Sequence, residues 1–325
     1  MGGRYLGRRA IQAVITIAFI LVLNFLMFRL MPGSPERILF RNPNITPEVL
    51  QAARERWGLD KPLIPDQLVS YVTSTLQGDL GYSLKFRGQS VVSVIGSRIW
   101  PTVILFGLGE LIAIVVGLGL GAYSGWRRGG PVDYVGNGVS LILYSMPYFL
   151  IGMFLLVIFA TTLGWFPTSG MFTIGGGQNL TPIDRALDFA RHLVLPLATV
   201  ALGLIGQYSI LMRSSIVDTL AEDYVGTARA KGLTETRVLS AHALPNALLP
   251  TVTLIAINLG YVVAGAITVE VVFNWPGLGT LTVDALNARD YPVLQGVFLL
   301  LSVAVVVANF GADIVYGFLD PRVRT

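Results

Sequence analysis

Glu110 lies near the middle of an apolar run at 101–123, a depth at which an ionisable side chain is costly and therefore a candidate for function. Two chemistries fit it: a neutral or hydrogen-bonded carboxyl that packs helices together, or a group on a polar path for substrate or protons. Asp313, towards the end of the last apolar run, admits the same two readings. Glu270 sits near the outer end of the run at 250–273, where interfacial hydration is the expected state because snorkelling is cheap there. Covalent chemistry has few candidates. With no cysteine, disulfides, thiolate nucleophiles and Cys-type zinc sites are excluded. None of Lys61, Lys85 and Lys231 follows Gly or precedes Ser or Thr, so no Walker A loop exists to cradle a nucleotide. His192 and His242 fall on opposite faces of the membrane in the topology below and cannot share a metal. His-Glu-x-x-His and Gly-x-Ser-x-Gly do not occur, which argues against a metalloprotease or serine hydrolase. The chain is expected to be no enzyme and to bind no metal or cofactor itself.

The elements that must position these groups are membrane helices. The chain is 53% hydrophobic and 13% charged, and apolar windows near 10–30, 101–123, 138–161, 193–213, 250–273 and 293–317 each approach the roughly 20 residues that cross a bilayer. The first is too long for a cleavable signal peptide, and Met31-Pro32-Gly33 after it opens a loop. An all-α, multi-pass membrane protein with six spans follows. Its organisation reads as an N-terminal span at 1–31, an external subdomain at 32–97, a five-span core at 98–318 and a tail at 319–325. In the subdomain a short helix over 47–57 is expected, capped by Thr46 with Pro47 at its first position.

Six spans put both termini on one side. That side carries Arg4, Arg8, Arg9, Arg127, Arg128, Arg213, Arg229, Lys231, Arg237, Arg322 and Arg324, against Arg185, Arg191 and Arg289 in the short loops opposite. By the positive-inside rule the termini and the 214–249 loop are cytoplasmic. The net charge of +4 is spread along the chain, which leaves no concentrated basic face for nucleic acid.

Some spans have a polar side. In the last, Gln295, Ser302, Asn309, Asp313 and Tyr316 fall on one narrow helical face. In the fifth, Thr251, Asn258, Tyr261, Gly265 and Thr268 form a stripe about 100° wide. In the fourth, Thr199, Gly203, Gly206 and Arg213 make a small-residue face suited to close helix contact. All three faces are expected to point inward. The candidates for a translocation pathway are Glu110, Asn258, Tyr261, Glu270, Gln295, Ser302, Asn309 and Asp313.

Between the fourth and fifth spans, 221–246 is polar, charged and helix-prone. Residues 221–231 suit a short helix with Leu220, Tyr224, Ala228 and Lys231 along one side. Gly232 supplies a permissive bend. Thr234 is placed to cap a second helix with Glu235 in its first turn, and Pro245 to close it. A mere connector needs no such punctuation, so the segment reads as a docking element.

At this segment the sequence resembles a known family. Gly232, an interval of nine residues and then His242-Ala243-Leu244-Pro245 are similar to the EAA motif of ABC-importer permeases, in which Ile-x-Leu-Pro ends the pattern. Gly226 stands where that motif has Glu, Thr227 and Ala228 where it has two alanines, and His242 where it has Ile. The wider runs Glu222 to Leu233, His242 to Pro250, Val269 to Gly279, Arg289 to Gly296 and Leu319 to Arg324 resemble the dipeptide, oligopeptide and nickel branch. The N-terminal pattern is similar to its B-type subunits.

The resemblance implies a type I importer fold and a heteromeric assembly. A homologous C-type permease would complete the pathway. Two ATPase subunits would bind ATP and magnesium and dock in the cytoplasm, and an external binding protein would deliver peptide. Nickel, glutathione or another small solute is an alternative cargo. Tyr224, Gly226, Thr227, Ala228, Ala230, Lys231, Gly232, His242, Leu244 and Pro245 would form the coupling element. A chain acting alone as an ion-gradient transporter, with Glu110 or Asp313 as proton site, is the rival from another class.

Overall fold

The computed structural model describes residues 3–30, 51, 61–86, 88–173, 181–262 and 267–319. The expected helix at 47–57 therefore lies outside the described residues apart from Gln51, as do Met31-Pro32-Gly33, Gly265, residues 320–325 and the side chains of Tyr261 and Tyr316. The helices, in chain order, are α1 (Gly3–Leu30), α2 (Leu68–Leu76), α3 (Val91–Trp126), α4 (Pro131–Ser145), α5 (Tyr148–Leu155), α6 (Pro182–Leu220), α7 (Asp223–Ala230), α8 (Glu235–Val238), α9 (Leu244–Val262), α10 (Ile267–Val272), α11 (Leu278–Ala288) and α12 (Tyr291–Leu319).

Among the described residues, five continuous helical runs are long and apolar enough to cross a membrane: Leu6–Leu30, Val91–Trp126, Pro182–Leu220, Glu235–Leu259 and Tyr291–Ile314. The sixth span, expected as one window at 138–161, is a broken pair. α4 and α5 meet at 105°, and a π-helical segment carries α5 on to Thr162. Pro147 explains the break. It has no N–H to donate, and its ring pushes the preceding residue out of helical geometry; Met146 is extended at φ −83°, ψ 129°. Within the window at 250–273, α9 covers the part up to Val262 and α10 the part from Ile267 to Val272.

The centre of the bundle is α3 laid along α6, the most extensive helix pairing among the described residues. With 36 and 39 residues, these helices run about 54 and 58 Å at 1.5 Å per residue. Both therefore project well beyond a hydrocarbon core of about 30 Å. Gly109, Gly117, Gly121 and Gly125 form the α3 side of the contact. A Cβ at Gly117 would lie 2.7 Å from the Tyr208 Cβ, and one at Gly121 would lie 2.8 Å from the Met212 Cβ and 3.0 Å from the Ser209 Cα. These neighbours are backbone or first side-chain atoms and have no freedom to turn away. Gly121→Leu is therefore expected to push the helices apart and lower stability by roughly 1–3 kcal/mol, measured by thermal unfolding in detergent. An unchanged melting temperature would contradict the close contact.

The opposite face of α6 behaves as its small residues suggest. Gly203 lies under the Tyr148 ring, and a Cβ at Gly206 would come 2.8 Å from the Tyr144 amide nitrogen. Thr199 is fully buried beside Gly152, and Arg213 reaches Asp133. All four residues of the predicted face thus meet α4 and α5, and the Ser140 hydroxyl donates to Ser209 at 2.9 Å in the same interface. Helix α1 is peripheral. It packs along α12, while Ile11, Val14, Ile15 and Phe19 on its outer side stay exposed.

Candidate functional site

The α7–α8 segment hangs from the end of α6. Its core is small: Val225, Ala228 and Val238 are buried against Leu220 and Leu233. Apolar side chains at Leu220, Val225 and Ala228 fold α7 back on α6, and the chain then reverses at Gly232, where φ is +79°. That is the left-handed region, open to glycine without steric cost. The Arg229 guanidinium spans the reversal, donating to Glu235 at 2.9 and 3.2 Å. Both side chains are exposed, so solvent screening keeps this contribution small. On the other side, the Asn246 amide donates to the Tyr224 hydroxyl at 2.9 Å and to the His242 carbonyl at 3.0 Å. Helix α7 is thereby tied both to α6 and to the start of α9. Tyr224, Gly226, Thr227, Ala230, Lys231 and Gly232 are exposed. Ala228 is buried, and His242 and Leu244 are half-buried, Leu244 against the cluster of Met212, Ile216 and Ala247.

Three details differ from the sequence reading. Val225, rather than Tyr224 or Lys231, joins Ala228 on the buried side. Thr234 occupies the N-cap position, φ −66° and ψ 147°, but its side chain makes no capping bond. Glu235 is drawn across the bend to Arg229 instead. Nor does Pro245 close a helix. It is the second residue of α9, and a π-helical turn at Leu239–Ala243 joins α8 to α9 in one continuous run. The wider turn accommodates a ring that would otherwise clash with the carbonyl four residues back.

Gly226 lies inside α7, and a Cβ built there meets nothing within 4 Å. Gly226→Ala should therefore stabilise the isolated subunit by about 0.5–1 kcal/mol, the helix-interior difference between the two residues. Thermal unfolding of the subunit checks this. Loss of transport in that variant would then report contact with another subunit.

Among the polar residues of the spans, Glu110 is 2% exposed and accepts a hydrogen bond from the Tyr208 hydroxyl; the Asn258 amide donates to that same hydroxyl at 3.0 Å. The chain Glu110–Tyr208–Asn258 thus joins α3, α6 and α9. The α12 stripe divides. At one end the Gln295 carbonyl accepts from the Asn24 amide of α1 at 3.3 Å, and the Tyr71 hydroxyl of α2 donates to the same Asn24 side chain at 2.9 Å. At the other end Asp313 pairs with Arg9 of α1 at 3.4 Å. Ser302 is half-buried and Asn309 exposed. Tyr261 belongs to α9 by its backbone.

Glu270 is not hydrated. It is fully buried, accepting from the Thr102 hydroxyl at 2.6 Å and from the backbone N–H groups of Gly279 at 2.7 Å and Thr280 at 3.1 Å. The reason is tertiary. After α10 the chain turns through Asn274 to Gly277, and α11 places its first amides on the carboxylate, where an anion is favoured. A Cβ at Gly277 would collide with the carboxylate, so glycine is needed there for the close approach. Trp275, also fully buried, donates from Nε1 to the Pro101 carbonyl at 2.9 Å.

Two buried carboxylates escaped the sequence reading. Asp133, in the first turn of α4, receives the Arg213 guanidinium at 2.5 and 2.8 Å, the Ser124 hydroxyl at 3.1 Å and the Gly129 N–H at 2.9 Å. Asp290, just before α12, accepts from the Ser83 hydroxyl at 2.5 Å and from the Lys85 N–H at 2.9 Å. The available signal for the first was Arg213 itself: a guanidinium on an inward face requires an anion. For the second it was an Asp at an N-cap position ahead of Tyr291-Pro292.

Comparison with known proteins places these features in a family. Residues 117–325 match the description "binding-protein-dependent transport system inner membrane component", and residues 3–102 match its N-terminal counterpart. A putative peptide permease protein of Brucella suis biovar 1 is 38% identical over 323 residues, covering 99% of both chains. The glutathione transport system permease protein GsiC of Salmonella choleraesuis is 38% identical over 321 residues, 98% of each. The di/tripeptide transport system permease protein DppB of Pseudomonas aeruginosa is 37% identical over 335 residues, again 98% of each. Among solved structures, the inward-facing MetNI methionine ABC transporter has a chain that superposes with a TM-score of 0.54 at 17% identity, covering 70% of this chain and 96% of that one; this likeness speaks to the fold. The chain is a multi-pass membrane protein and belongs to the binding-protein-dependent ABC importer permeases, the inner-membrane components of these transport systems.

Proposed function

We propose that this permease forms half of the translocation pathway of an ATP-driven importer of short peptides, coupled to its energy source through α7 and the Gly232 bend. The observation that carries the proposal is the α7–α8 segment. It is an exposed helix fixed by a left-handed glycine and tied to two long spans, so a push on α7 moves α6 and α9 together instead of being absorbed in a loose loop. With no nucleotide-binding loop in the sequence, ATP and magnesium belong to two separate ATPase subunits. A homologous permease supplies the other half of the pathway, and an external binding protein delivers cargo. The likeness to permeases named for peptides, di/tripeptides and glutathione supports peptide cargo. Nickel or another small solute is the alternative.

In this reading the basic end of the bundle, with both termini and the α7–α8 segment, is cytoplasmic, and 32–97 is an external subdomain. Glu110, Asn258, Tyr261, Glu270, Gln295, Ser302, Asn309 and Asp313 remain the pathway candidates. Among them Asn258, half-buried on α9, is the best placed to meet cargo, and Glu270 acts by holding α10 against α11. Closure of the ATPases would alternate access by moving α6 and α9.

The test is reconstitution in vesicles with candidate partner permease, ATPase and binding-protein subunits, reading ATP-dependent accumulation of labelled dialanine, glutathione and nickel. Uptake by this chain alone, driven by an ion gradient, would overturn the proposal. Because the chain contains no cysteine, single cysteines at Thr236 and Asp284 report orientation. A membrane-impermeant maleimide added outside should label the second and spare the first.

A further inference from the structure

We propose that the Asp133–Arg213 pair is the positioning contact that carries movement of the docking helix α7 into the bent third span. The inference rests on the importer reading for the direction of that movement, and on geometry for the contact.

Asp133 is 3% exposed and stands in the first turn of α4. The Arg213 guanidinium grips it with two nitrogens, Nε at 2.5 Å and a terminal nitrogen at 2.8 Å. Such a fork fixes orientation as well as distance, which a point charge does not do. The Ser124 hydroxyl and the Gly129 N–H complete the shell of the carboxylate, at 3.1 and 2.9 Å, so the α3–α4 turn is held at the same point. Arg213 lies two helical turns before the end of α6 at Leu220, and α7 begins at Asp223. One turn deeper, Ser140 donates to Ser209 at 2.9 Å, and Gly206 and Gly203 admit the backbone of α4 and the ring of Tyr148. α6 and α4 are therefore joined at the end nearest α7 by a directional ionic contact and, farther in, by an uncharged hydrogen bond and close packing. The bend at Met146-Pro147 lies past the α4 contacts and just before Tyr148 of α5, whose ring packs over Gly203 of α6. When α7 is displaced, α6 and α4 move as one body and pass the motion through the 105° junction to α5. Without the ionic fork, α6 moves and α4 lags.

The experiment uses the complete assembly of both permeases, the ATPases and the binding protein, with Asp133→Asn and Arg213→Lys in this chain. The second variant keeps the positive charge and guards against misfolding of the first. The readout is dialanine taken up per ATP hydrolysed, at equal complex recovery. A role confined to stability would lower recovery and leave this ratio unchanged. The expected result is a ratio at least threefold lower for Asp133→Asn, with Arg213→Lys between it and the wild type. A second readout needs no cargo. With Ser140→Cys and Ser209→Cys introduced into the cysteine-free chain, disulfide formation under an added oxidant should proceed equally fast with and without nucleotide. In the Asp133→Asn background it should become at least threefold nucleotide-dependent. An unchanged uptake-to-ATP ratio in both variants, or nucleotide-dependent cross-linking already in the parent, overturns the inference. Absence of dialanine uptake by the wild type, with the cross-linking pattern as expected, would instead count against the peptide cargo and leave the positioning role standing.

Discussion

Gly232→Val is expected to leave the assembly intact and hydrolysing ATP while substrate uptake falls by about tenfold or more. The backbone at Gly232 has φ +79°, a region that costs an L-residue roughly 1–2 kcal/mol and a β-branched one more. No atom lies within 4 Å of a Cβ built there, so the penalty comes from the backbone, not from a clash. The chain relieves it by opening the reversal. That breaks the register between Arg229 and Glu235, which are exposed and contribute little, and it turns α7 relative to α6. The buried contacts of Val225, Ala228 and Val238 are too few to hold the bend by themselves. Uptake and ATP hydrolysis measured on the same vesicles check the expectation. Undiminished uptake at normal expression would count heavily against a coupling role for this bend. Gly226→Ala adds one side chain to an exposed glycine of the same segment at a helical position, so any loss of uptake there has a cause other than backbone strain.

Glu270→Ala is expected to be the most destabilising single change, lowering stability by roughly 3–5 kcal/mol and reducing the amount of folded protein recovered. The carboxylate satisfies the Thr102 hydroxyl and the Gly279 and Thr280 amides at once, all in a region closed to water. Removing it leaves the Gly279 and Thr280 amides without an acceptor, leaves the Thr102 hydroxyl only the long contact to the Arg98 carbonyl at 3.5 Å, and opens a void against Gly277. Leaving a buried donor unsatisfied costs about 1–3 kcal/mol per group. Glu270→Gln should do less harm, since its oxygen still accepts from one or two of these donors. Thermal unfolding of the three proteins in detergent orders them. If Glu270→Ala melts with the wild type, the carboxylate is not what holds α10, α11 and α3 together.

Both predictions concern places where a local pattern had to be completed by a distant one, and they show how legible this protein was. The spans, their number and the polar character of 221–246 follow from composition and periodicity, because lipid imposes its constraint on each window of about 20 residues separately. Gly232 was legible for a similar reason: a positive φ is a property of one residue, and glycine announces it. The small-residue face of α6 was legible because close helix contact requires small side chains whatever the neighbour is. What the neighbour is could not be read.

Glu270 looked interfacial while its surroundings were judged from its own window. Folding brings Thr102, 168 residues earlier in the chain, and the first amides of α11 to the same carboxylate. The α12 stripe looked like one inward surface, yet the structure gives both its ends to α1. Pro245 read as a stop, and a π-helical turn absorbed it. Sequence by itself determined the class of the protein, its spans and the chain reversal at Gly232, since those depend on the solvent around each helix and on single-residue backbone preferences. Only the tertiary structure decided which buried charges meet, Asp133 with Arg213, Glu110 with Tyr208 and Glu270 with the start of α11, because a buried polar group is stabilised by whatever partner the fold delivers and not by its neighbours in the chain.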